Sequence, residues 1–497
     1  MSAENQEVEK SNNYLQDNID VPLEYEVTDL RTINQKHYKK ADGTYEMVIY
    51  NQEVHYFDNG KWLDIDNRLL DKGDKLATKS NMFNLSFPKN LANDKEIELK
   101  MDKYQISWSL PGIKSTKASP GLEKSTTSNI NELTNVTEEI NYKNVLNNVD
   151  IQYIVDGTKV KENIILHEYV KDFSLSFEYK LKDLQLTTNE ADKIIFINDD
   201  KETVFTFSDF FMFDKAQIKS TDINVKYENQ SKGSYIITIT SSDKWLRTAT
   251  YPVVVDPTLR VYGYGSNDFI DDKYVFGSSG ESHHEFYFIT GNYDNTKTKG
   301  YYFLSIPSNY QTSYVLLNLY RISGSASTIE FKDVVITDDN IRQQFYDING
   351  YNSETTYDSV IDYMDVEARP HNNYTLECPE KLAFNVTNAV KKWERDNRSS
   401  GILEVDVLDS NDNHNLFFSV RKDIYHDTSY NAIAPNVVIG YYDTNGLKNH
   451  WTYEAYSANN AGTLLVSDFT GKVSSVRNDL VLNNERQAFE LSMIYDQ

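Results

Sequence analysis

The composition of this chain constrains its fold more than any single motif does. Tyrosine occurs 36 times and phenylalanine 23 times in 497 residues. Together with Thr, Val and Ile, these residues favour strands because their side chains suit a pleated, half-buried surface. Stretches rich in Ala and Leu, which favour helices, are scarce. We therefore predict a mainly β protein, built of antiparallel β-sandwich domains in tandem with one short helix.

Charge and cysteine content exclude several classes of partner. The formal net charge is −25, whereas nucleic-acid binding needs a basic stripe and docking on anionic lipid needs basic clusters. Cys378 is the single cysteine, so packing must hold the fold without an internal disulfide. No apolar run approaches the ~20 residues that cross a bilayer. We predict no nucleic-acid partner and no membrane span.

A β-hairpin is predicted around Asn59 and Gly60. These residues lie between two segments, 44–57 and 61–66, that partly alternate apolar and polar residues. Asn-Gly between such segments is the strongest short-range hairpin signal, because both residues accept positive φ. Similar alternation predicts half-buried antiparallel strands at 104–110, 233–240 and 402–408.

One helix is predicted over residues 385–395. Thr387 or Asn388 can cap its start. The residues expected on its apolar side are Val386, Ala389, Val390 and Trp393. The polar stretch 397–401, which finishes in Gly, ends the helix.

Three segments break the strand pattern. Residues 114–139 are rich in Lys, Ser, Thr, Asn and Glu, which predicts a long solvated loop. Pro252 and Pro257 flank an apolar Val triplet, and proline is excluded from central ladders. We predict that this stretch is the last strand of one domain and forms a stiff connection to the next. Residues 1–20 are predicted to be an unstructured lead-in.

No signature of catalysis stands out. The sequence has no His-Glu-x-x-His zinc motif, no Gly-x-Ser-x-Gly elbow and no Gly-rich phosphate loop. One cysteine cannot form a paired-cysteine zinc site. Spacing selects no carboxylate pair for glycoside hydrolysis among 75 acidic residues. We therefore predict that the protein is not an enzyme.

Two acidic clusters offer the oxygen ligands that Ca²⁺ binds. Their carboxylates are those of Asp268, Asp271, Asp272, Asp406, Asp409 and Asp412. Neither cluster follows the EF-hand spacing. Turn chemistry, in which Asp and Asn bond their own backbone, is the alternative explanation. Calcium is the one cofactor that the sequence suggests.

Six segments between residues 24 and 258 carry a resemblance to a known family. They are Leu30–Tyr38, Val54–Asn67 (Val-His-Tyr-Phe-Asp-Asn-Gly-Lys-Trp-Leu-Asp-Ile-Asp-Asn), Asp150–Tyr153, Val160–Leu166, Trp245–Leu246 and Tyr251–Pro257. In this order they resemble the N-terminal region of Gram-positive RHS/YD-repeat proteins of the wall-associated, polymorphic-toxin type. The resemblance implies a secreted or cell-wall-associated protein. The polar start of the chain lacks a signal-peptide core, so the expected export signal is not present in it.

The rest of the chain resembles two further parts of such proteins. Segments that match the first part are Asp271–Val275, Tyr302–Pro307, Val315–Tyr320, Phe384–Trp393 and Gly401–Leu403. They are similar to the DNRLRE-type module, which implies a carbohydrate-binding-like β-sandwich. Gly446–Tyr453, Ala461-Gly462 and Asp468–Gly471 resemble the lead-in to a YD-repeat shell. Around Ile494 the resemblance reaches the first strands of the repeats.

These observations divide the chain into four predicted parts. Residues 1–20 form the lead-in, and residues 21–257 form a β-rich domain that contains the 114–139 loop. Residues 258–441 form the DNRLRE-like sandwich. Residues 442–497 form an extended lead-in to a YD-repeat shell, which we expect to be mobile or to pair with another chain because unpaired strand edges seek partners.

Two functions fit this resemblance. The first is a structural or delivery module whose partner is the C-terminal YD-repeat shell of the parent protein, presented or anchored at the cell exterior. The second is an adhesin that binds cell-wall or host glycans through the 258–441 sandwich, with exposed aromatic rings stacked on sugars. The candidate ligand-binding residues are Tyr262, Tyr264, Tyr287 and Tyr293.

Overall fold

The structure, a computed structural model, describes residues 21–496 with internal gaps. The gaps are residues 122–132, 134, 209, 217, 263–269, 277–280, 284–286, 294, 308–309, 339, 349–356, 371–378, 409–412, 419–434, 443–451, 459–461, 469–470, 472 and 484–487. Strands make up 62% of the described residues and helices 6%, so the predicted mainly β fold class is confirmed.

The described strands are short and numerous. In chain order the first are β1 (Leu23–Glu26), β2 (Gln35–Lys40), β3 (Tyr45–Ile49), β4 (His55–Asp58), β5 (Lys61–Asp64), β6 (Asp66–Lys72), β7 (Lys75–Ser80), β8 (Asn84–Pro88), β9 (Asn90–Leu91), β10 (Ile97–Met101), β11 (Tyr104–Ser109), β12 (Thr116–Pro120) and β13 (Thr137–Leu146). The next are β14 (Val149–Asp156), β15 (Lys159–Leu166), β16 (Ser174–Lys182), β17 (Gln185–Thr188), β18 (Ile194–Ile197), β19 (Thr203–Phe207), β20 (Phe211–Phe213), β21 (Lys219–Ser220), β22 (Ile223–Ser231), β23 (Ser234–Ser241), β24 (Val253–Asp256) and β25 (Thr258–Val261). The last are β26 (Ile270–Phe276), β27 (Glu281–His283), β28 (Tyr287–Tyr293), β29 (Thr296–Ser305), β30 (Gln311–Gly324), β31 (Ser327–Val334), β32 (Tyr357–Val366), β33 (Glu380–Asn385), β34 (Ser400–Leu408), β35 (His414–Phe418), β36 (Asn436–Tyr442), β37 (Tyr453–Ser457), β38 (Thr463–Ser467), β39 (Val473–Asn483) and β40 (Ala488–Asp496).

Helical segments are few in the described ranges. They are a 3₁₀ turn at Thr28–Leu30 and the helices α1 (Asp243–Leu246), α2 (Ile341–Asp347) and α3 (Thr387–Arg395).

The strands form antiparallel sheets. An eight-stranded sheet runs β22-β23-β16-β11-β10-β8-β7-β6, and a twelve-stranded sheet runs β17-β18-β19-β25-β15-β14-β13-β12-β9 with β20, β21 and β24 attached. A fourteen-stranded sheet runs β1-β2-β3-β36-β30-β35-β28-β29-β34-β31-β32 with β26, β27 and β33 attached. Strands β37–β40 form a four-stranded sheet, and β4 pairs with β5.

The eight- and twelve-stranded sheets pack face to face, because one hydrophobic core draws residues from both. Ile106 and Phe177 come from the first sheet, whereas Ile151 and Phe205 come from the second. Along β23, alternate residues are buried and partly exposed, as a sheet with one covered face requires. The strands predicted at 104–110 and 233–240 are thus present. Strand β23 is half-buried as predicted, whereas Ile106–Ser109 of β11 are buried on both faces. We call this pair of sheets the first sandwich.

The fourteen-stranded sheet folds over a second core, which makes it a sandwich by itself. Phe331 and Leu403 enter this core from one layer, and Val315 and Ile439 enter it from the other. Helix α3 closes the core with its apolar side, as predicted, through the buried residues Val386, Ala389, Val390 and Trp393. Gly401 passes so near Trp393 that a β-carbon there would lie 2.1 Å from the ring. We call this sheet with α3 the second sandwich.

The hairpin predicted at the Asn-Gly pair is present. Strand β4 pairs with β5, from His55 opposite Asp64 to Asp58 opposite Lys61. Asn59 and Gly60 connect them with φ values of 48° and 80°. Both residues sit in the left-handed region, which matches the twist of the flanking strands.

Sheet pairing links the start of the chain to the end of the second sandwich. Strand β3 pairs with β36, so that Tyr45 lies opposite Tyr441. Beyond Pro257, β25 still pairs with β15 and β19 of the twelve-stranded sheet. The chain therefore stays in the first sandwich to Val261, and the division into domains at residues 257 and 258 remains a prediction.

Parts of the predicted 114–139 loop are strands, so that prediction is wrong for residues 116–120 and for residues 137–139, which begin β13. Strand β12 pairs with β13, with Ala118 opposite Tyr142, and with β9, with Thr116 opposite Leu91. Polar composition suggested a loop, but strands on both sides supply backbone hydrogen bonds that composition does not reveal. Residues 122–132 lie outside the described residues, as does the predicted lead-in at 1–20.

The predicted cap of α3 is also wrong. Val386 precedes the helix and makes no side-chain cap. The Thr387 hydroxyl instead donates to Asn385 Oδ1 at 2.6 Å and accepts from the Val315 backbone N–H at 2.8 Å. The Thr387 hydroxyl, which we predicted to cap the helix, therefore bonds the backbone of β30 instead. The predicted end of the helix is present, with Asn397 in the left-handed region at φ 56°.

The segment after residue 442 forms a sheet of its own. Strands β37–β40 pair in sequence order as an antiparallel meander. The described apolar residues Leu464, Leu465 and Val466 are only half-buried. Its pairing with a YD-repeat shell or another chain remains a prediction.

Candidate functional site

The outer surface of the second sandwich is built by strict alternation along three neighbouring strands. Ile329 and Phe331 of β31 and Leu403 of β34 point into the core. Residues between them point to the opposite face, because successive strand side chains alternate. Glu404 and Lys332 therefore lie opposite each other on adjacent strands of the outer face.

Helix α2 covers one end of this outer face. Phe345 of α2 packs on Phe303 of β29 with ring centroids 6.0 Å apart, and both belong to a small apolar cluster with Ile402. Lys273 donates to the Ile348 carbonyl at 2.7 Å, next to the end of α2. Charged residues follow along the same strands beyond this cluster.

Those charged side chains pair across the strands. Lys299 Nζ lies 3.1 Å from Glu404 Oε1, and the Tyr301 hydroxyl donates to Glu404 Oε2 at 3.0 Å. Lys332 Nζ lies 2.7 Å from Glu330 Oε2 and 3.9 Å from Glu404 Oε1. Opposite charges on directly opposed strand positions stabilise the pairing. The result is a ladder of alternating charges on one side of the sheet.

Burial and charge pull the pKa values of this ladder in opposite directions. Burial alone would lower the pKa of Lys332, but the hydrogen bond to Glu330 and the nearby carboxylates of Asp406 and Glu404 raise it above its ordinary value. Burial raises the pKa of Asp406 above its ordinary value, against the Val407 backbone N–H and the lysines. Lys332 therefore remains cationic at neutral pH.

Exposed tyrosines lie beside this ladder on the edge strand β32. Tyr357 is 51% exposed and Tyr363 is 54% exposed. Lys332 Nζ lies 4.9 Å from the centroid of the Tyr357 ring, and Tyr363 lies opposite Glu330. Both tyrosines thus share the face of the charge ladder.

We call this surface the tyrosine face. It comprises the charged residues Lys299, Glu330, Lys332, Glu404 and Asp406 and the exposed residues Tyr357, Val360, Tyr363 and Leu408. A surface with exposed aromatic rings beside fixed polar groups suits a ligand that has an apolar face and many hydroxyl groups. Sugars have this combination.

The four predicted ligand-binding tyrosines either lie away from the tyrosine face or have side chains that the structure does not describe. Tyr262 is 58% exposed, but its backbone N–H donates to Val204 of the twelve-stranded sheet at 2.9 Å. Tyr287 and Tyr293 lie on β28, and the structure does not describe their side chains. Tyr264 lies outside the described residues. The role of these four tyrosines remains a prediction.

One of the predicted calcium ligands, Asp406, belongs to the tyrosine face. Asp271 and Asp272 lie on β26, with side chains that the structure does not describe. Asp268, Asp409 and Asp412 lie outside the described residues. Within the described ranges, no three His, Cys, Asp or Glu side chains converge as a metal site. Calcium binding remains a prediction.

Sequence analysis missed Tyr357 and Tyr363. The signal was present in β31, whose residues Thr328, Glu330 and Lys332 alternate with Ile329 and Phe331. It was hidden in β32, because β-bulges near Phe331 and Asp333 shift the register and break the alternation. The pairing of these strands places the tyrosines beside the charges.

Among the described residues, no helix is long and apolar enough to cross a membrane. No known family model matches the sequence.

Distant relatives exist among characterised proteins. "tRNA3(Ser)-specific nuclease WapA" of Bacillus spizizenii is 26% identical over 304 residues, 57% of this chain and 13% of that protein. "tRNA nuclease WapA" of Bacillus subtilis is 26% identical over 304 residues, again 13% of its length. "Wall-associated protein" of Geobacillus stearothermophilus is 25% identical over 195 residues, 38% of this chain and 74% of that protein. This chain is thus a distant homologue of wall-associated proteins of the WapA type over part of its length.

Among solved structures, the N-terminal domain of the Streptococcus gordonii adhesin Sgo0707 aligns over 75% of this chain and 93% of that chain. The TM-score is 0.14 and the identity is 8%.

The names of the relatives contradict one sequence-based prediction. We predicted that the protein is not an enzyme because no catalytic motif stands out, whereas the homologues are named as tRNA-specific nucleases. That prediction is wrong for the family. The motifs that were searched represent other reaction classes, and none of them is required for a nuclease.

Proposed function

We propose that this chain, a distant homologue of wall-associated WapA-type proteins, is a presenting and delivery region of a tRNA-nuclease-type protein outside the cell. The observation that carries the proposal is the alignment with the WapA nucleases over 57% of this chain. The chain spans 13% of the length of those relatives. That it belongs to a protein with nuclease activity is therefore also part of the proposal. Its expected partner is the C-terminal YD-repeat shell.

The architecture is suited to holding other parts of a protein. Two antiparallel sandwiches with separate cores form a stiff support, and they need no disulfide. The four-stranded sheet after residue 442 has half-buried apolar residues that another part of the protein can cover. In this proposal the second sandwich contacts the wall, and the last sheet leads toward the presented cargo.

Sedimentation with cell walls tests this proposal. Purified chain is mixed with Gram-positive walls in salt that screens surface charge, and the pelleted fraction is compared with that of an acidic protein of similar size. We expect this chain to pellet with the walls and the control to remain soluble. Equal pelleting of both proteins, or of neither, would contradict the proposal.

A second candidate function, glycan binding, is favoured by the tyrosine face. Tyr357 and Tyr363 are about half exposed beside lysines and carboxylates that are fixed by one another. Rings held by a sheet lose little conformational entropy when a sugar stacks on them. In this role the second sandwich is the adhesive part, and its ligands are cell-wall or host glycans.

Calorimetry with a panel of wall and host glycans tests the second candidate. We expect the double variant Tyr357→Ala/Tyr363→Ala to bind at least about tenfold more weakly, the loss of a central aromatic contact. Tyr25→Ala, at a residue that is 55% exposed on β1 of the same sheet, is the matched control and keeps full affinity. Unchanged affinity in the double variant would reject this site. Loss of binding in EDTA would in addition establish the predicted calcium dependence.

A further inference from the structure

A polar cleft lies at the far end of α3, apart from the residues of the tyrosine face. It has a volume of about 370 Å³ and is lined by Val335, Ile336, Thr337, Asp338, Lys392, Asp396 and Arg398. Two sides meet there: the segment that follows β31, and the last turn of α3 with the residues beyond it. The volume falls in the range of small-ligand pockets, roughly 300 to 1,000 Å³.

Arg398 is the member of this cleft with unused hydrogen-bonding capacity. Its Nη2 donates to Asp396 Oδ2 at 3.1 Å. Its Nη1 is enclosed and has no acceptor. An enclosed donor of a charged group is costly to leave without a partner. Because the guanidinium is a planar fork, the oxygen pair of a carboxylate or of a phosphate fits it. The carboxylates of Asp338 and Asp396 in the same cleft favour the singly charged carboxylate.

The other polar groups of the cleft are already held in place. Lys392 Nζ lies 3.1 Å from Asp333 Oδ2, and Asp333 also accepts from the Trp393 ring N–H at 2.9 Å. The backbone N–H groups of Asp396 and Arg398 bond the carbonyls of Lys392 and Trp393 at 3.0 and 2.8 Å. Since these carbonyls are satisfied, they do not compete for Arg398.

The remaining lining divides into an apolar and an acidic part. Val335 and Ile336 are half-buried. Ile336 packs in part on the apolar cluster of Phe303 and Phe345, and the two side chains offer contact to an aliphatic group. Asp338 is exposed and its Oδ1 accepts only the Asn340 backbone N–H at 2.8 Å among the bonds described. One end of the cleft therefore suits an anion, and the middle suits a small aliphatic side chain. The Asp338 carboxylate can accept an N–H group.

We propose that this cleft binds the free carboxyl end of a short peptide whose last residue is small and aliphatic. The terminal carboxylate takes the Arg398 fork, the side chain packs on Val335 and Ile336, and an N–H of the peptide donates to Asp338. Side-chain volume limits the occupant to about two residues within the cleft. This site is independent of the glycan-binding proposal.

Methyl NMR of the full chain with labelled Ile and Val tests the site. The probes are N-acetyl-alanyl-alanine and the same peptide with a C-terminal amide. We expect saturable shifts of Ile336 and Val335 methyl groups with the acid, and at least roughly tenfold weaker binding of the amide, because the charged contact is lost. Inorganic phosphate is added as a competitor, and we expect it to displace the peptide acid only weakly.

Variants sharpen the same experiment. Arg398→Gln is expected to weaken the binding of the peptide acid by roughly tenfold or more. Arg395→Gln, at an exposed arginine of the same helix end outside the cleft, keeps the affinity. Equal binding of acid and amide, tighter binding of phosphate than of the acid, or no shift at Ile336 each overturn the proposal. Should Arg398→Gln unfold, the comparison of acid with amide on the unchanged chain decides the question.

Discussion

One buried glutamate from each sandwich shows how differently the two parts use the same side chain. Glu162 lies in the first sandwich, where it accepts from the Tyr153 hydroxyl, and the Trp108 ring N–H donates to that same hydroxyl at 3.1 Å. Glu404 lies in the second, with Lys299 at 3.1 Å and Lys332 at 3.9 Å. The first carboxyl is surrounded by aromatic rings and the second by cations.

This difference separates packing from a charged surface. Burial raises the pKa of Glu162 to about 8, so its carboxyl is neutral at pH 7 and forms part of the core. Glu404 belongs to a ladder on the outer face of a sheet, next to exposed tyrosines. The ion pairs of the second sandwich are themselves largely buried, and the exposed groups beside them are the rings of Tyr357 and Tyr363.

The largest expected effect is the pH dependence of the first sandwich. A carboxyl whose pKa rises on folding, from 4.5 to about 8, stabilises the fold fully below pH 4.5, and that contribution is lost as pH rises toward 8. The full loss is about 5 kcal/mol. Hydrogen exchange of β15 amides between pH 5 and pH 8, corrected for intrinsic rates, measures it. Glu162→Gln should flatten this dependence, and an unchanged slope in that variant would contradict the assignment.

The next effect concerns the charge ladder. Glu404→Gln leaves the ammonium of Lys299 beside a neutral amide in a buried position. Removing one partner of a buried pair costs about 4 kcal/mol. Exchange of β34 amides measures the loss. Glu162→Gln at pH 6 should instead stabilise β15 by about 2 kcal/mol, because the wild-type carboxyl stays neutral in the fold although it is ionised in the unfolded chain at that pH. Equal losses at both sites would erase the contrast between the sandwiches.

A smaller effect of opposite sign is expected at His37 of the second sandwich. Burial lowers the pKa of His37 to about 4 from 6.5, with Glu26 opposing and His55 reinforcing the shift, and its Nδ1 lies 2.8 Å from the Tyr441 hydroxyl. The imidazole is neutral when folded, so its contribution is present above pH 6.5 and is lost as pH falls toward 4. The loss is about 3 kcal/mol. Exchange of β2 and β36 measures it, and His37→Gln should remove it; persistence in the variant would assign the effect to another group.

The smallest effect is expected for the exposed rings. Tyr357→Ala and Tyr363→Ala should each change the free energy of unfolding by less than about 0.5 kcal/mol, because surface positions contribute little to packing. Denaturant unfolding of both variants is the measurement. A loss of about 3 kcal/mol or more, the value of a buried aromatic, would make these tyrosines structural and would weaken the case for a binding face.

Sequence patterns anticipated the local elements better than their assembly. The Asn59-Gly60 hairpin and the apolar side of α3 follow from short-range chemistry, and both are present. The pairing of β3 with β36 joins residues almost 400 positions apart by their numbers, which no local pattern encodes. Glu162 and Glu404 look alike in sequence, since only tertiary packing decides which neighbours each one meets. The tyrosine face depends on bulges in β32 for the same reason.

The most direct test of the central claim is a hydrogen-exchange footprint of the full chain on purified Gram-positive cell walls. We expect protection on β31, β32 and β34 of the second sandwich, and no change on β10, β11 and β16 of the first. Protection confined to the first sandwich, or no protection of either, would contradict the claim that the second sandwich carries the wall-binding face.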